Sequence, residues 1–311
     1  MTDNNKWLAQ LGAQEIREDT IDSEGSSYPY AQWVNGDAKL KQLGANAVAY
    51  IGGWFIPADK IALEALPGWT QGALSHAHGE TEGWFASSLS MAVMHMRRCW
   101  QVGMGQGSRN YPWAAYDEAK AAGQACRPPI GPRGRLQILG IIKGLEDAGP
   151  IMLTMKGTTG MAFTDNDGIL ASFRTHVLKA AAAYSSKTGK RRVSDYPRFY
   201  FWMASGSELD AKGQPVFTKV GSGELSSMVT RPVLIGVTKG MAAPALGALY
   251  VGPELISTIE GSKDAVTGQW THDGLYDDTE PWATGWETFG QAEPEAPVAE
   301  ADFATEEDVP F

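Results

Sequence analysis

Gly83-Trp84-Phe85-Ala86-Ser87-Ser88-Leu89-Ser90, resumed at Met94 and carried through Arg97-Arg98-Cys99-Trp100-Gln101-Val102, decides the fold class. It is rich in aromatic and apolar residues and opens on a glycine, the pattern of strands joined by turns. Working outward, the same pattern predicts strands near Tyr28–Val34, Ala47–Ile56, Arg135–Leu145, Ile151–Lys156, Arg198–Met203 and Val216–Val220. Helices are fewer. After Asp167-Gly168, the residues Ile169, Leu170, Phe173, Val177, Leu178 and Ala181 recur at helical spacing and predict a helix over 169–184. Pro253 opens a second over 252–260, and a short helix before Asp19 completes the expected set.

Strands interrupted by one long helix point to a mainly β (α+β) chain. The expected architecture is an OB-like antiparallel barrel, closed or nearly so, with helical insertions. A doubly wound sheet would need a regular strand–helix alternation, which is missing.

Charge divides the chain in two. The 311 residues carry a net charge of −10, which by itself opposes binding to a phosphate backbone. Eleven of the 36 acidic residues lie at 276–311, a stretch with no Lys or Arg. That leaves 26 basic against 25 acidic residues over 1–275, a body of about +1. Such a body has room for a basic groove. The stretch 276–311 also carries Pro281, Pro294, Pro297 and Pro310 and no hydrophobic period, so it is expected to be a disordered acidic tail behind a folded 1–275 domain. At about 5–6 Å × √n, its reach is roughly 30–35 Å. No apolar run approaches a membrane span, and Met1 to Lys6 lack a leader pattern. Cys99 and Cys126 are the two cysteines, without Cys-x-x-Cys spacing. A soluble cytoplasmic protein, associated with the nucleoid if it binds DNA, is expected.

The residues Glu300-Ala301-Asp302-Phe303-Ala304-Thr305-Glu306-Glu307-Asp308-Val309-Pro310-Phe311 resemble the acidic tip of bacterial single-stranded-DNA-binding proteins. The chemistry is intelligible. Phe311 offers a ring and a carboxylate to a partner pocket with a cation at its rim, and Pro310 lowers the ordering cost. Glu306, Glu307 and Asp308 steer the segment toward basic surfaces, this protein's own groove included. The body is similar to longer, divergent members of that class in the blocks Tyr28-Pro29-Tyr30-Ala31-Gln32-Trp33-Val34-Asn35-Gly36 and Gly52-Gly53-Trp54-Phe55-Ile56. The resemblance implies single-stranded DNA as ligand and self-association into a homo-oligomer. Replication, recombination or repair proteins would dock on Asp308, Val309, Pro310 and Phe311.

Sequence-tolerant binding of a single strand needs rings for stacking and cations beside the phosphates. Trp33, Trp54, Phe55, Trp100, Tyr200 and Trp202 are the aromatic candidates, and Arg97, Arg98, Lys156, Arg191 and Arg192 the cationic ones. In Arg198-Phe199-Tyr200-Phe201-Trp202, strand alternation would set Phe199 and Phe201 on one face and Tyr200 and Trp202 on the other. Lys156-Gly157-Thr158-Thr159-Gly160 reads as a turn offering amides and hydroxyls to phosphate, without the full nucleotide-binding spacing.

Two readings compete with DNA binding. His76-Ala77-His78-Gly79-Glu80-Thr81-Glu82 has a spacing similar to metal-binding cupins, so His76, His78 and Glu82 define an alternative metal-dependent β-barrel enzyme. Its setting, Gly72 to Gly83, reads as a polar loop. A tail-only interaction adaptor is the other. No nucleophile or paired-carboxylate motif stands out, and the primary expectation is a non-enzyme without cofactor or metal.

Overall fold

A fifteen-residue strand, β5 (Ser88–Val102), organises the sheet. The structure is a computed structural model that describes residues 28–36, 52–61, 68–76, 79–102, 109–113, 133–187, 195–220, 227–272 and 275. The remaining strands are β1 (Tyr30–Val34), β2 (Gly53–Pro57), β3 (Thr70–His76), β4 (Gly79–Ala86), β6 (Arg109–Pro112), β7 (Arg133–Ile142), β8 (Ile151–Lys156), β9 (Met203–Ser207), β10 (Phe217–Val220), β11 (Ser227–Thr230) and β12 (Pro232–Leu234). The helices are α1 (Gly157–Thr164), α2 (Ile169–Phe173), α3 (Lys179–Lys187), α4 (Ala243–Ala248) and α5 (Pro253–His272), with a π-helical turn at Arg174–Leu178 between α2 and α3.

The main sheet runs β12-β9-β5-β7-β8-β1-β2-β4-β3, with β6 also on β5, while β10 and β11 form a separate ribbon. Every pair in it is antiparallel except β1 with β8. The protein is therefore mainly β with a mixed sheet and a few helices. A closed barrel is not shown: among the described residues, β3 and β12 are the two ends of the ladder.

The sheet nevertheless curls. The Trp54 indole N–H donates to the Ser205 carbonyl at 3.3 Å, and the Ser207 hydroxyl donates to the Gly52 carbonyl at 2.7 Å, so β2 meets β9 through side chains. Beside them the Trp33 indole N–H donates to the Thr230 carbonyl at 3.2 Å. A register shift between Val93 and His95 marks a bulge in β5, the usual means of bending a long strand.

Both faces of the central strands are covered. Leu136, Ile138 and Ile142 of β7 join Trp54, Phe163, Phe173 and Val177 in the main core, under α1 to α3. Leu139 packs with Val266 and Trp270, and Ile141 with Ile256 and Ile259, under α5. This is why β7 reads as a nearly continuous apolar run rather than an alternating one. Gly140 has no room for a side chain, since a Cβ would lie 2.4 Å from the Ala92 carbonyl oxygen.

Several local expectations change. The 169–184 helix continues to Lys187 and contains the π turn, and the 252–260 helix extends to His272. Ile256, Ile259, Val266 and Trp270 keep one buried face despite the intervening Gly261-Ser262-Lys263-Asp264. The expected strand at Arg198–Met203 is a 3-10 turn, Arg198–Tyr200, entered from Pro197, with the strand starting only at Met203. Phe199 and Trp202 are buried under α5 while Phe201 enters the main core, a distribution that period-two alternation cannot deliver. Gly72 to Gly83 is no loop but the β3–β4 hairpin. Lys156-Gly157-Thr158-Thr159-Gly160 is a strand end and the start of α1. The N-terminal helix, residues 47–51 of the second strand block and the 276–311 tail lie outside the described residues.

Candidate nucleic-acid interface

Arg97 and Arg98 are neighbours in β5, so strand alternation sends them to opposite faces. On the α5 side, Arg97 donates from Nε to Gln137 Oε1 at 2.7 Å and from its terminal nitrogen to the Trp270 carbonyl. Its guanidinium lies 4.0 Å from the centroid of the Trp270 ring. A cation at the last turn of a helix complements the helix dipole, and Arg97 thereby pins the end of α5 to the sheet. Register carries this row onward from Arg97 to Gln137, Thr154 and Gln32.

On the other face, Arg98 borders a groove of about 380 Å³ between β5, β7, α1 and α2. Met96, Leu136, Phe163 and Leu170 form its apolar floor, and Arg98, Arg174 and Arg198 its basic lining; Arg97 also borders it, with its guanidinium turned to Trp270. The guanidinium of Arg98 lies 5.6 Å from the Trp113 ring centroid. Arg174 is held by Asp195, Nε to Oδ2 at 2.7 Å. Asp165, the acid of the groove, is 3.6 Å from Arg231. Among the described residues neither Arg98 nor Arg198 has a carboxylate partner.

The π turn contributes directly to this geometry. It begins at Arg174, which lines the groove, and contains His176, which lines a neighbouring polar cavity. Such turns recur where a helix must present side chains it would otherwise misalign.

Arg198 opens the turn that carries an aromatic cluster. Tyr196 and Tyr200 have ring centroids 5.6 Å apart, Phe199 and Tyr200 5.2 Å, and Phe201 and Tyr250 6.0 Å. The Tyr200 hydroxyl donates to Glu260 at 2.8 Å. Tyr200 is half-buried and Tyr250 is 43% exposed. Arg198 is the member of this turn that lines the groove; the rings of Tyr196, Tyr200 and Tyr250 are not part of its lining.

The sequence candidates divide accordingly. Arg98 lies at this surface, whereas Tyr200 packs between Tyr196 and Phe199 and bonds Glu260 of α5. Trp33, Trp54, Phe55 and Trp202 are buried and serve the core: Trp33 and Trp54 through the hydrogen bonds that curl the sheet, Phe55 against Phe85 at 4.7 Å, and Trp202 under α5. Arg97 is occupied by α5. Lys156 ends β8 opposite Arg135 in register, and Trp100 pairs with Gly134 and Tyr111 in β5. Arg191, Arg192 and Asp308 to Phe311 lie outside the described residues.

Arg174 and Arg198 are additions that tertiary structure brings into the groove beside Arg98. The one local sign in the sequence was the Arg198-to-Trp202 run.

The metal-site candidates are less coherent. In the β3–β4 register, positions 76 and 82 fall on opposite faces, since His76 pairs with Gly79 while Glu82 pairs with Ala73. His78 lies outside the described residues. Among the described residues no group of three or more His, Cys, Asp or Glu side chains is arranged to hold a metal ion. No described helix is long and apolar enough to cross a membrane.

Comparison of the chain with protein-family models, curated proteins and solved structures finds no match.

Proposed function

We propose that this protein is a non-enzymatic single-stranded-DNA-binding protein whose acidic 276–311 segment recruits replication, recombination or repair proteins through Asp308-Val309-Pro310-Phe311. The observation that carries the reading is the groove in which Arg98 and Arg198, among the described residues, have no carboxylate partner above an apolar floor. Trp113 stands beside Arg98, and Arg198 opens the turn that carries Phe199 and Tyr200. Phosphates would lie on the arginines and bases against the rings, a mode that tolerates any sequence. The curl of the sheet around the bent β5 supports an oligonucleotide-binding-type reading of the body. The near-neutral charge of 1–275 permits the basic groove, while the acids of 276–311 suit a separate docking role.

The test is tryptophan fluorescence during titration with a thymidine oligonucleotide of about 35 nucleotides, at low and high salt and against duplex DNA. Quenching by the single strand is expected to weaken with salt and to be absent with duplex. It should also shrink in Trp113→Phe, because Trp33, Trp54 and Trp202 are buried. A flat titration at low salt would overturn the proposal. Removing Val309 to Phe311 is expected to abolish partner capture while DNA affinity holds or rises.

A further inference from the structure

Strand β3 pairs with β4 along all seven of its residues without a register break, and among the described residues no strand lies on its other side. Its sequence, Thr70-Gln71-Gly72-Ala73-Leu74-Ser75-His76, has no proline, lysine, arginine or carboxylate. Those are the devices, with bulges and shortness, that normally blunt a sheet edge. The opposite end of the ladder shows them: β12 has three residues, starts at Pro232 and follows Arg231. The two edges of one sheet are thus treated differently.

Backbone geometry says what the open edge presents. His76 pairs with Gly79 across a two-residue connection, so residues 76, 74, 72 and 70 exchange hydrogen bonds with β4 and the intervening residues do not. The N–H and C=O groups of Gln71, Ala73 and Ser75 therefore face away from β4, and Gln71 and Ala73 are exposed.

We propose that this edge pairs antiparallel with the same edge of a second copy of the chain, about a two-fold axis at Ala73. Gln71 then lies opposite Ser75 of the second copy, and Ala73 opposite its equivalent. All the outward-facing N–H and C=O groups close on one another, and the contact is isologous and self-limiting. Charge permits it. No charged residue of β3 meets its copy, and the nearest acids, Glu80 and Glu82, sit one strand behind. Across the joined sheet they are three strand spacings apart, about 14 Å, beyond the screening length at physiological salt. An edge of about 23 Å buries less than the roughly 800 Å² per partner of a standard interface, so the dimer is weak and depends on concentration. The inference is independent of DNA binding.

The test is sedimentation velocity of the full chain from about 1 to 200 µM. The expected result is monomer passing to dimer, with Ala73→Lys and Ala73→Pro each raising Kd at least about tenfold. Proline at this position keeps the β3–β4 ladder, because the N–H of Ala73 is outside it, so circular dichroism should be unchanged. In a Cys126→Ser background, Ala73→Cys should be bridged between chains by a short bis-maleimide, a readout that stands even if either substitution unfolds the hairpin. Monomer at every concentration, a dimer that both substitutions leave intact, or no cross-link would each overturn the proposal.

Discussion

The Trp54 indole N–H reaches the Ser205 carbonyl, 3.3 Å away and 151 residues on, tying β2 to β9 where the ladder leaves them unpaired. Trp54 is fully buried, with its ring edge-on to Trp33 at 5.3 Å and Phe163 at 6.2 Å. Trp54→Phe keeps most of the packing but removes this hydrogen bond, at a cost of about 0.5–1.5 kcal/mol. Trp54→Ala also opens a cavity and should cost about 3–5 kcal/mol. Urea unfolding measures both; a Trp54→Phe protein as stable as the native one would mean that the hydrogen bond is irrelevant.

Arg97 and Arg98 should separate stability from binding. Arg97→Ala removes the cation that anchors Trp270 and is expected to cost about 1–2 kcal/mol with oligonucleotide affinity unchanged. Arg98→Ala should leave the melting temperature in place and weaken single-strand binding, with the log–log salt slope falling by about 0.7. An Arg97→Ala protein that melts normally but binds poorly would reverse the two assignments.

His95 makes the docking of α5 sensitive to acid. Its Nε2 lies 3.3 Å from the Thr267 hydroxyl. Burial holds the imidazole below its ordinary value, and the Lys263 ammonium lowers it further. A depressed folded-state value means that the unfolded chain binds the proton more readily. Stability is then complete above the ordinary value near 6.5 and is lost as pH falls toward the folded-state one. Thermal melts between about pH 7.5 and 5 should show a decline that is smaller in His95→Gln. An identical decline in the variant would assign the effect to other groups.

Cys99 should be inert. Burial pushes its thiol up to about 11, against the lowering influence of Arg97 and Arg135, so almost no thiolate exists at neutral pH. In a Cys126→Ser variant, native protein is expected to resist a disulfide reagent and to react once denatured. Rapid native labelling would show that β5 opens locally at this position.

What the residues alone determined was element type where a local rule dominates. Apolar runs bounded by glycine gave β4, β5, β7 and β8, and helical spacing from Ile169 gave the helix that the π turn interrupts. Local rules failed where burial came from two directions. Phe199, Phe201 and Trp202 looked alternating because they are consecutive aromatics, but the two cores flanking the sheet claim them separately, and a 3-10 turn is the backbone that allows it. The small polar residues of 72–83 concealed a hairpin because an edge strand has little to bury.

The same division holds for the candidate site. That arginines and aromatics abound was plain from the sequence. Which of them face solvent together was decided by the curl of the sheet and by strand alternation, which gave Trp33, Trp54 and Phe55 to the core and Arg97 to α5. Arg98, Arg174 and Arg198 come from three separate stretches of chain and share one groove only because α2 and the 3-10 turn pack against the same part of β5 and β7. Side-chain chemistry is written residue by residue, whereas proximity between distant residues is a property of packing.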